Sequence, residues 1–125
     1  MTRFHLSTLA VGLALVSAAA FAQTPPAKTA DGVLVNATGM TLYTFDPDPA
    51  GAGKSACNGA CATNWPPLAA SATDKAEAPW SVIARDDGAR QWAYKGKPLY
   101  SWIKDSKAGD RTGDGVNGVW HVAKP

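Results

Sequence analysis

The sequence predicts a mainly β fold: a small antiparallel β domain built from two related strand-turn-strand repeats. The first observation is a block that starts at Gly39 and returns at Gly96, both copies reading G-x-x-L-Y-[ST]-[FW]-x-x-D. A Trp follows each copy, at Trp65 and Trp120. Second, short runs of β-branched and aromatic residues are separated by Gly, Pro and Asp turns. Third, apolar residues do not recur at helical spacing over three turns. A duplicated block indicates two copies of one supersecondary unit.

The N-terminal residues 1–22 predict a signal peptide that does not belong to the fold. Arg3 precedes an apolar run from Leu6 to about Ala19, and Ala-Phe-Ala at 20–22 supplies small residues for cleavage before Gln23. No Cys lies near the cleavage point, so we expect no lipid anchor, and we expect no transmembrane segment after cleavage. The protein is expected to be periplasmic or secreted.

Composition excludes several classes of function. The chain has 12 Lys and Arg against 10 Asp and Glu, a formal net charge of +2. This near-neutral balance argues against a nucleic-acid partner held by bulk charge. After the leader, His121 is the only histidine, and two Cys with one His cannot form a closed zinc site of usual composition without carboxylates. We therefore expect no metal and no cofactor.

The first repeat is predicted at about 33–68, inside a single β domain that covers residues 32–125. Residues 23–31 lack large apolar side chains and are expected to form a flexible lead. A strand at 33–35, a turn and a second strand at 40–45 follow, ended by the Pro and Gly residues after Asp46. The cysteine-containing segment then has room for one helical turn, and Trp65-Pro66-Pro67-Leu68 predicts an extended path.

The second repeat is predicted at about 80–122. Asp86-Asp87-Gly88 indicates a hairpin turn between two strands, and the last strand is expected at 119–122. The turn around Gly96 leaves the register open. A Gly96-Lys97 turn places Tyr100 opposite Ala93, whereas a Lys95-Gly96-Lys97 loop places it opposite Trp92.

Several blocks resemble one known family, in the same order along the chain. These are the two Y-x-[FWY]-x-x-D motifs, the block Cys57-Asn58-Gly59-Ala60-Cys61 before Trp65-Pro66-Pro67-Leu68, and the stretch from Arg85-Asp86-Asp87-Gly88 to Tyr100. They resemble the bacterial secreted-repeat, or Y-x-(FWY)-x-x-D lipoprotein, family over about Val33 to Val122. The resemblance implies an exported protein, often lipid-anchored in that family, whose biochemical role is not established. The missing lipidated Cys is a departure from that pattern.

The repeated motif has two interpretations. In the first, its aromatic side chains fill the core and each Asp accepts backbone N–H bonds from the turn after its strand. In the second, the motif forms a face that stacks on a planar or sugar ligand. The candidate binding residues are Tyr43, Phe45, Asp48, Tyr100, Trp102 and Asp105. The predicted aromatic core is Tyr43, Phe45, Trp65, Trp80, Trp92, Tyr100, Trp102 and Trp120.

Cys57 and Cys61 are predicted to form a disulfide. Their C-x3-C spacing differs from the C-x-x-C of thiol oxidoreductases, and an exported chain without other Cys favours a bridge. The alternative is a thiolate pair that binds a soft metal such as Cu(I), with Met40 or His121 nearby.

The loop from Asp110 resembles the first half of a calcium-binding loop, but His121 occupies the position of the bidentate Glu. Two readings stay open: a weak calcium site at Asp105, Asp110, Asp114 and Asn117, or a polar Gly-rich turn.

No nucleophile elbow and no phosphate-binding Gly loop is present in the sequence, so we expect no catalytic residues and no enzyme activity. The favoured function is an exported, non-catalytic binding or interaction module of the cell envelope, with an unknown ligand or protein partner. The alternative is a periplasmic redox or copper-handling protein that uses Cys57 and Cys61.

Overall fold

The computed structural model describes residues 24–125, and the predicted signal peptide at 1–22 lies outside this range. The described chain is mainly β, in small antiparallel sheets, as the sequence predicted. Its elements are β1 (Lys28–Ala30), β2 (Val33–Val35), β3 (Tyr43–Phe45), α1 (Ala60–Asn64), β4 (Trp80–Ala84), β5 (Arg90–Tyr94), β6 (Lys97–Pro98), a 3₁₀ turn (Val116–Gly118) and β7 (Trp120–Val122).

Each repeat begins with a hairpin. In the first, β1 pairs with β2 around an Asp31-Gly32 turn in which both residues have positive φ, 49° and 79°. The expected flexible lead at 23–31 is therefore wrong for Lys28–Ala30, which forms a strand. The physical reason is that Ala27 is buried in a core cluster with Leu34, which fixes the start of β1 against the domain.

The second hairpin joins β4 to β5 as predicted, with Val82 opposite Trp92. The following turn is Lys95-Gly96, because Tyr94 pairs with Lys97 on β6. Neither predicted register of Tyr100 is correct. The chain leaves the hairpin after Pro98, and Tyr100 instead bridges to Tyr43 and Pro67.

The two repeats exchange strands. β3 of the first repeat pairs with β7 of the second, so that Phe45 lies opposite Trp120. Conversely, Leu68 of the first repeat donates its N–H to the carbonyl of Leu99 of the second, at 2.9 Å. At the centre, Tyr43 and Tyr100 exchange two backbone hydrogen bonds of 2.8 and 3.0 Å. An approximate twofold axis therefore passes between these tyrosines, and neither repeat completes its sheets alone.

The core consists of two clusters. One is aliphatic and includes Leu42 and Leu99, which the sequence analysis did not place in the core. The other is aromatic and contains Cys57. Of the predicted aromatic core, Tyr43, Trp65, Trp92, Tyr100 and Trp120 are buried, and Phe45, Trp80 and Trp102 are partly buried. Leu42 and Leu99 were missed because neither lies in an aliphatic run, Leu42 being between Thr41 and Tyr43 and Leu99 between Pro98 and Tyr100.

Candidate functional site

The tyrosine and the aspartate of each motif bind their counterparts in the other repeat. The Tyr43 hydroxyl donates to Asp105 Oδ2 at 2.6 Å, and the Tyr100 hydroxyl donates to Asp48 Oδ2. All four side chains are buried. This reciprocal exchange explains why Y and D recur together at one spacing, since each motif supplies a donor and an acceptor for the opposite repeat.

Each aspartate also accepts a backbone N–H from the loop that follows its motif. Asp48 Oδ1 accepts from Ala56 N at 2.6 Å, and Asp105 Oδ1 accepts from Thr112 N at 3.0 Å. These hydrogen bonds therefore close the long loops after the motifs, and not the short turn directly after each strand. The motif thus ties the centre of the fold to both long loops.

A buried polar network surrounds the Tyr100–Asp48 pair. Arg85 Nη1 donates to Ser55 Oγ at 2.9 Å and to Gln91 Oε1 at 2.7 Å, while its Nη2 donates to the Cys57 carbonyl. Burial is the main cause that raises the pKa of Asp48, and Arg85 acts in the opposite direction. Burial, followed by the bond to Asp48, raises the pKa of Tyr100 above its ordinary value.

The Tyr43–Asp105 pair has simpler surroundings. Gly113 N donates to the Tyr43 hydroxyl at 3.2 Å, and Thr112 Oγ1 donates to Asp105 at 2.6 Å. Burial and the bond to Asp105 raise the pKa of Tyr43. Sequence reasoning did not single out Arg85, which lies in the interior with 5% of its surface exposed. The available signal was its position directly after β4, a strand that contains Trp80, Val82 and Ile83.

Four aromatic rings form a continuous stack across the repeat interface. Trp65 and Trp120 lie at its centre, with ring centroids 3.7 Å apart and an interplanar angle of 4°. Phe45 stacks on Trp120 at 4.2 Å and Trp102 stacks on Trp65 at 3.9 Å. The end rings, Phe45 and Trp102, keep some exposed surface.

The structure therefore divides the six predicted binding residues into four buried residues and two partly exposed ones. Tyr43, Asp48, Tyr100 and Asp105 lie in the interior with their polar atoms bonded to protein partners. Their burial and bonding give them a structural role. Ligand binding by the partly exposed Phe45 and Trp102 stays a prediction.

Cys57 and Cys61 form the predicted disulfide. Both cysteines of the chain lie in the described range, and neither is free there. A copper site made of two thiolates would require reduction of this bond first. His121, the suggested additional ligand, instead contacts Asp46. The redox or copper alternative stays a prediction.

The carboxylates of the calcium-like loop have separate partners. Asp110 Oδ2 accepts from Ser106 N at 2.9 Å and from Lys107 N at 3.1 Å, and the bonds from Ser106 are the main cause that lowers the pKa of Asp110. Asp114 Oδ1 accepts from Val122 N at 3.1 Å. Within residues 24–125, no three His, Cys, Asp or Glu side chains are grouped to hold a metal ion. The geometry fits the polar-turn reading of this loop.

A cleft of about 420 Å³ lies where β3 and β7 face the turn between β5 and β6. We call it the lysine cleft. Its charged or titratable lining side chains are Asp46, Lys95, Lys97, His121 and Lys124. Leu99, Val122 and Ala123 contribute apolar wall. Asp46 and His121 are bonded at 2.9 Å, with 53% and 47% of their side chains exposed.

The charges of the lysine cleft belong to one of two equivalent places in the fold. When the two repeats are aligned by sequence along their motifs, the residues that pack are retained, as in Leu42 and Leu99 or Trp65 and Trp120. The charged residues of the cleft are not retained. Asp46 corresponds to Ile103, Lys95 to Thr38, Lys97 to Met40, His121 to Pro66 and Lys124 to Ala69. Charge at this cleft is therefore not required by the packing of the repeat.

Strand exchange, the reciprocal Tyr–Asp pairs and the shared ring stack define a two-repeat β domain. Comparison with known families identifies it further: residues 26–69 and 81–124 each match Lipoprotein_15, described as a secreted repeat of unknown function. The chain belongs to this family. The matched segments end at Ala69 and Lys124, which agrees with the sequence alignment above.

Searches among curated proteins and among solved structures found no significant match. Within residues 24–125, no helix has the length and apolar character needed to cross a membrane.

Proposed function

We propose that this protein is an exported, non-catalytic binding module of the cell envelope, and that its ligand-binding surface is the lysine cleft. The observation that carries the proposal is the divergence of the two equivalent places in the fold. The five charged or titratable side chains around the cleft align with uncharged residues of the other repeat. Residues that differ between copies without affecting the shared core are free to serve recognition.

The family description of a secreted repeat supports export. The non-catalytic part of the proposal is supported by what the motif residues do. The tyrosine hydroxyls and the aspartates of the motif are already bonded to each other in the interior, where a substrate cannot reach them. The most repeated polar groups of the chain therefore serve stability.

The proposal is tested by mapping ligand contacts on the ¹⁵N-labelled mature chain. Soluble peptidoglycan fragments, neutral sugars and sugar phosphates are titrated one at a time, and amide shifts are followed by NMR. We expect at least one of these probes to shift the amides of Thr44, His121 and Lys124, which lie on one side of the cleft. Shifts confined to other surfaces, or no shift with any probe, would contradict the assignment of the cleft.

Matched variants make this test specific. Lys97→Met and Lys124→Ala install the residues that the first repeat has at the equivalent positions, and such surface changes usually alter stability by less than about 0.5 kcal/mol. The double variant should fold normally and lose the shifts. The reverse change Met40→Lys, in the other repeat, should leave them unchanged.

A further inference from the structure

We propose that the lysine cleft binds a phosphate group carried by an envelope component, an inference that rests on the function proposed above. The first reason is uncompensated charge. Among the described residues, Lys95, Lys97 and Lys124 have no carboxylate within ion-pair distance. The one carboxylate side chain of the cleft, Asp46, is bonded to His121. Three lysines against one carboxylate side chain give the lining of the cleft a local excess of positive side-chain charge.

The second reason is that the backbone under each lysine is fixed. Lys95 lies in the two-residue turn with a φ of 49°, and its N–H donates to the Pro79 carbonyl at 2.9 Å. The turn is also held from outside, because Gly51 N donates to the Gly96 carbonyl at 2.9 Å. Lys95 Nζ lies over the Tyr94 ring, 5.3 Å from its centroid. Fixed anchor points lower the entropic cost of binding.

The remaining lysines lie in or next to paired backbone. Lys97 is part of β6 and pairs with Tyr94. Lys124 follows Ala123, whose N–H donates to the Leu42 carbonyl at 2.8 Å. Lys95 and Lys97 thus lie on one hairpin and Lys124 lies on the C-terminal segment, so two backbone segments bring the three lysines to one cleft.

The third reason is the amount of negative charge that the ligand carries. A phosphate monoester carries about −1.5 to −2 at pH 7, which calls for more than one cation, whereas a carboxylate carries a single charge. Lysine binds phosphate as a compact point charge and does not need the planar geometry of arginine. The overall net charge of +2 is too small for general attraction of polyanions, so recognition would depend on this local group.

A second cleft provides a contrast. It is lined by Arg85 and Arg90, but Arg85 is buried and donates to Ser55, Gln91 and Cys57, and Arg90 donates to the Ala72 carbonyl. These cations are committed to the fold. In the lysine cleft, by contrast, no ion pair among the described residues holds Lys95, Lys97 or Lys124.

The test measures binding of the mature chain to glucose 1-phosphate, with glucose and glucuronate as neutral and carboxylate controls, by NMR titration at low ionic strength. A second arm uses phosphatidylcholine vesicles with and without phosphatidic acid, which presents the same phosphate monoester on a lipid. We expect glucose 1-phosphate or phosphatidic acid to bind at the cleft and the two arms to identify the source. Binding should weaken with added salt.

The double variant Lys97→Met with Lys124→Ala should lose affinity on the order of tenfold, since two charge contacts are removed. The control variant Lys54→Met with Lys107→Ala has the same net charge as the cleft variant but leaves the cleft intact. It should therefore bind like the wild type. Equal losses in both variants would show non-specific attraction and overturn the inference. Amide dispersion of each variant confirms that it is folded.

Other outcomes separate the inference from the proposed function. If glucose or another neutral probe shifts the cleft amides and phosphate does not, the phosphate assignment is wrong while the cleft remains the binding site. Stronger binding of glucuronate than of glucose 1-phosphate also overturns the phosphate assignment. If no probe shifts the amide signals of the cleft residues, both proposals fail.

Discussion

The two Tyr–Asp pairs come from the same motif but occupy different environments. Tyr43 and Asp105 are satisfied by a backbone N–H and a threonine hydroxyl. Tyr100 and Asp48 belong to a network with the buried cation Arg85. The repeated motif therefore determines which groups meet across the twofold axis, whereas the neighbouring, unrepeated residues determine how those groups are solvated and charged.

This difference also separates the two loops that follow the motifs. The loop after Asp48 leads to a disulfide, and the Cys57 carbonyl accepts from Arg85. The loop after Asp105 is held by hydrogen bonds to Asp105 and Asp110. One half of the molecule is fixed by covalent and charged contacts and the other by neutral donors, so equivalent substitutions should have unequal effects.

The largest effect is expected from Arg85→Leu. Removal of this cation leaves Asp48, Gln91 and the Cys57 carbonyl buried without their donor or counter-charge, a loss of about 3 to 5 kcal/mol in the free energy of unfolding. Urea denaturation measures the change. Arg90→Leu is the control, and its single bond to the Ala72 carbonyl should cost about 1 kcal/mol. Equal losses in the two variants would show that the network has no special role.

An intermediate effect is expected when the same hydroxyl is removed from each motif. Tyr100→Phe should cost about 2 to 3 kcal/mol, because the hydroxyl contacts both Asp48 and Ser55 inside the network. Tyr43→Phe should cost about 1 to 2 kcal/mol, because its partner Asp105 also accepts hydrogen bonds from Thr112 N and Thr112 Oγ1. The order of the two denaturation midpoints checks the comparison, and a reversed order would refute it.

The smallest effect is a pH dependence that has opposite signs at two aspartates. The folded-state pKa of Asp48 is raised above its ordinary 3.8, so its contribution to stability is present below pH 3.8 and is lost as pH rises through the higher folded value. The pKa of Asp110 is lowered from 3.8, so its contribution is present above that pH and is lost as pH falls.

These signs are checked by denaturation of Asp48→Asn and Asp110→Asn between acidic and neutral pH. Relative to wild type, Asp48→Asn should gain stability as pH rises, whereas Asp110→Asn should lose it. The same trend in both variants would contradict the assigned directions.

Much of the fold was predictable from local pattern. The hairpin at Asp86-Asp87-Gly88, the strand at 33–35 and the Cys57–Cys61 bridge were predicted correctly, because turn residues and cysteine spacing act over a few residues. Register failed at Tyr100 because its partners, Tyr43 and Pro67, are distant in sequence. The strand at Lys28–Ala30 was missed because its stability comes from burial of Ala27, which composition does not reveal.

The candidate site was less predictable than the fold. The motif residues were predicted either to pack or to bind, and only the positions of their partners decided which polar groups are buried. The lysine cleft combines Asp46 of the first repeat with Lys97 and Lys124 of the second, and no local pattern joins them.

By itself, the sequence determined that the protein has two copies of one β unit, with aromatic side chains and one aspartate in each. Only the tertiary structure decided that the copies exchange strands, that each tyrosine reaches the aspartate of the other repeat, and that lysines gather at one of two equivalent places. The physical reason is the distance along the sequence over which each interaction acts. Turns, alternation and disulfide spacing are local, whereas cross-repeat hydrogen bonds and clefts depend on how distant segments pack.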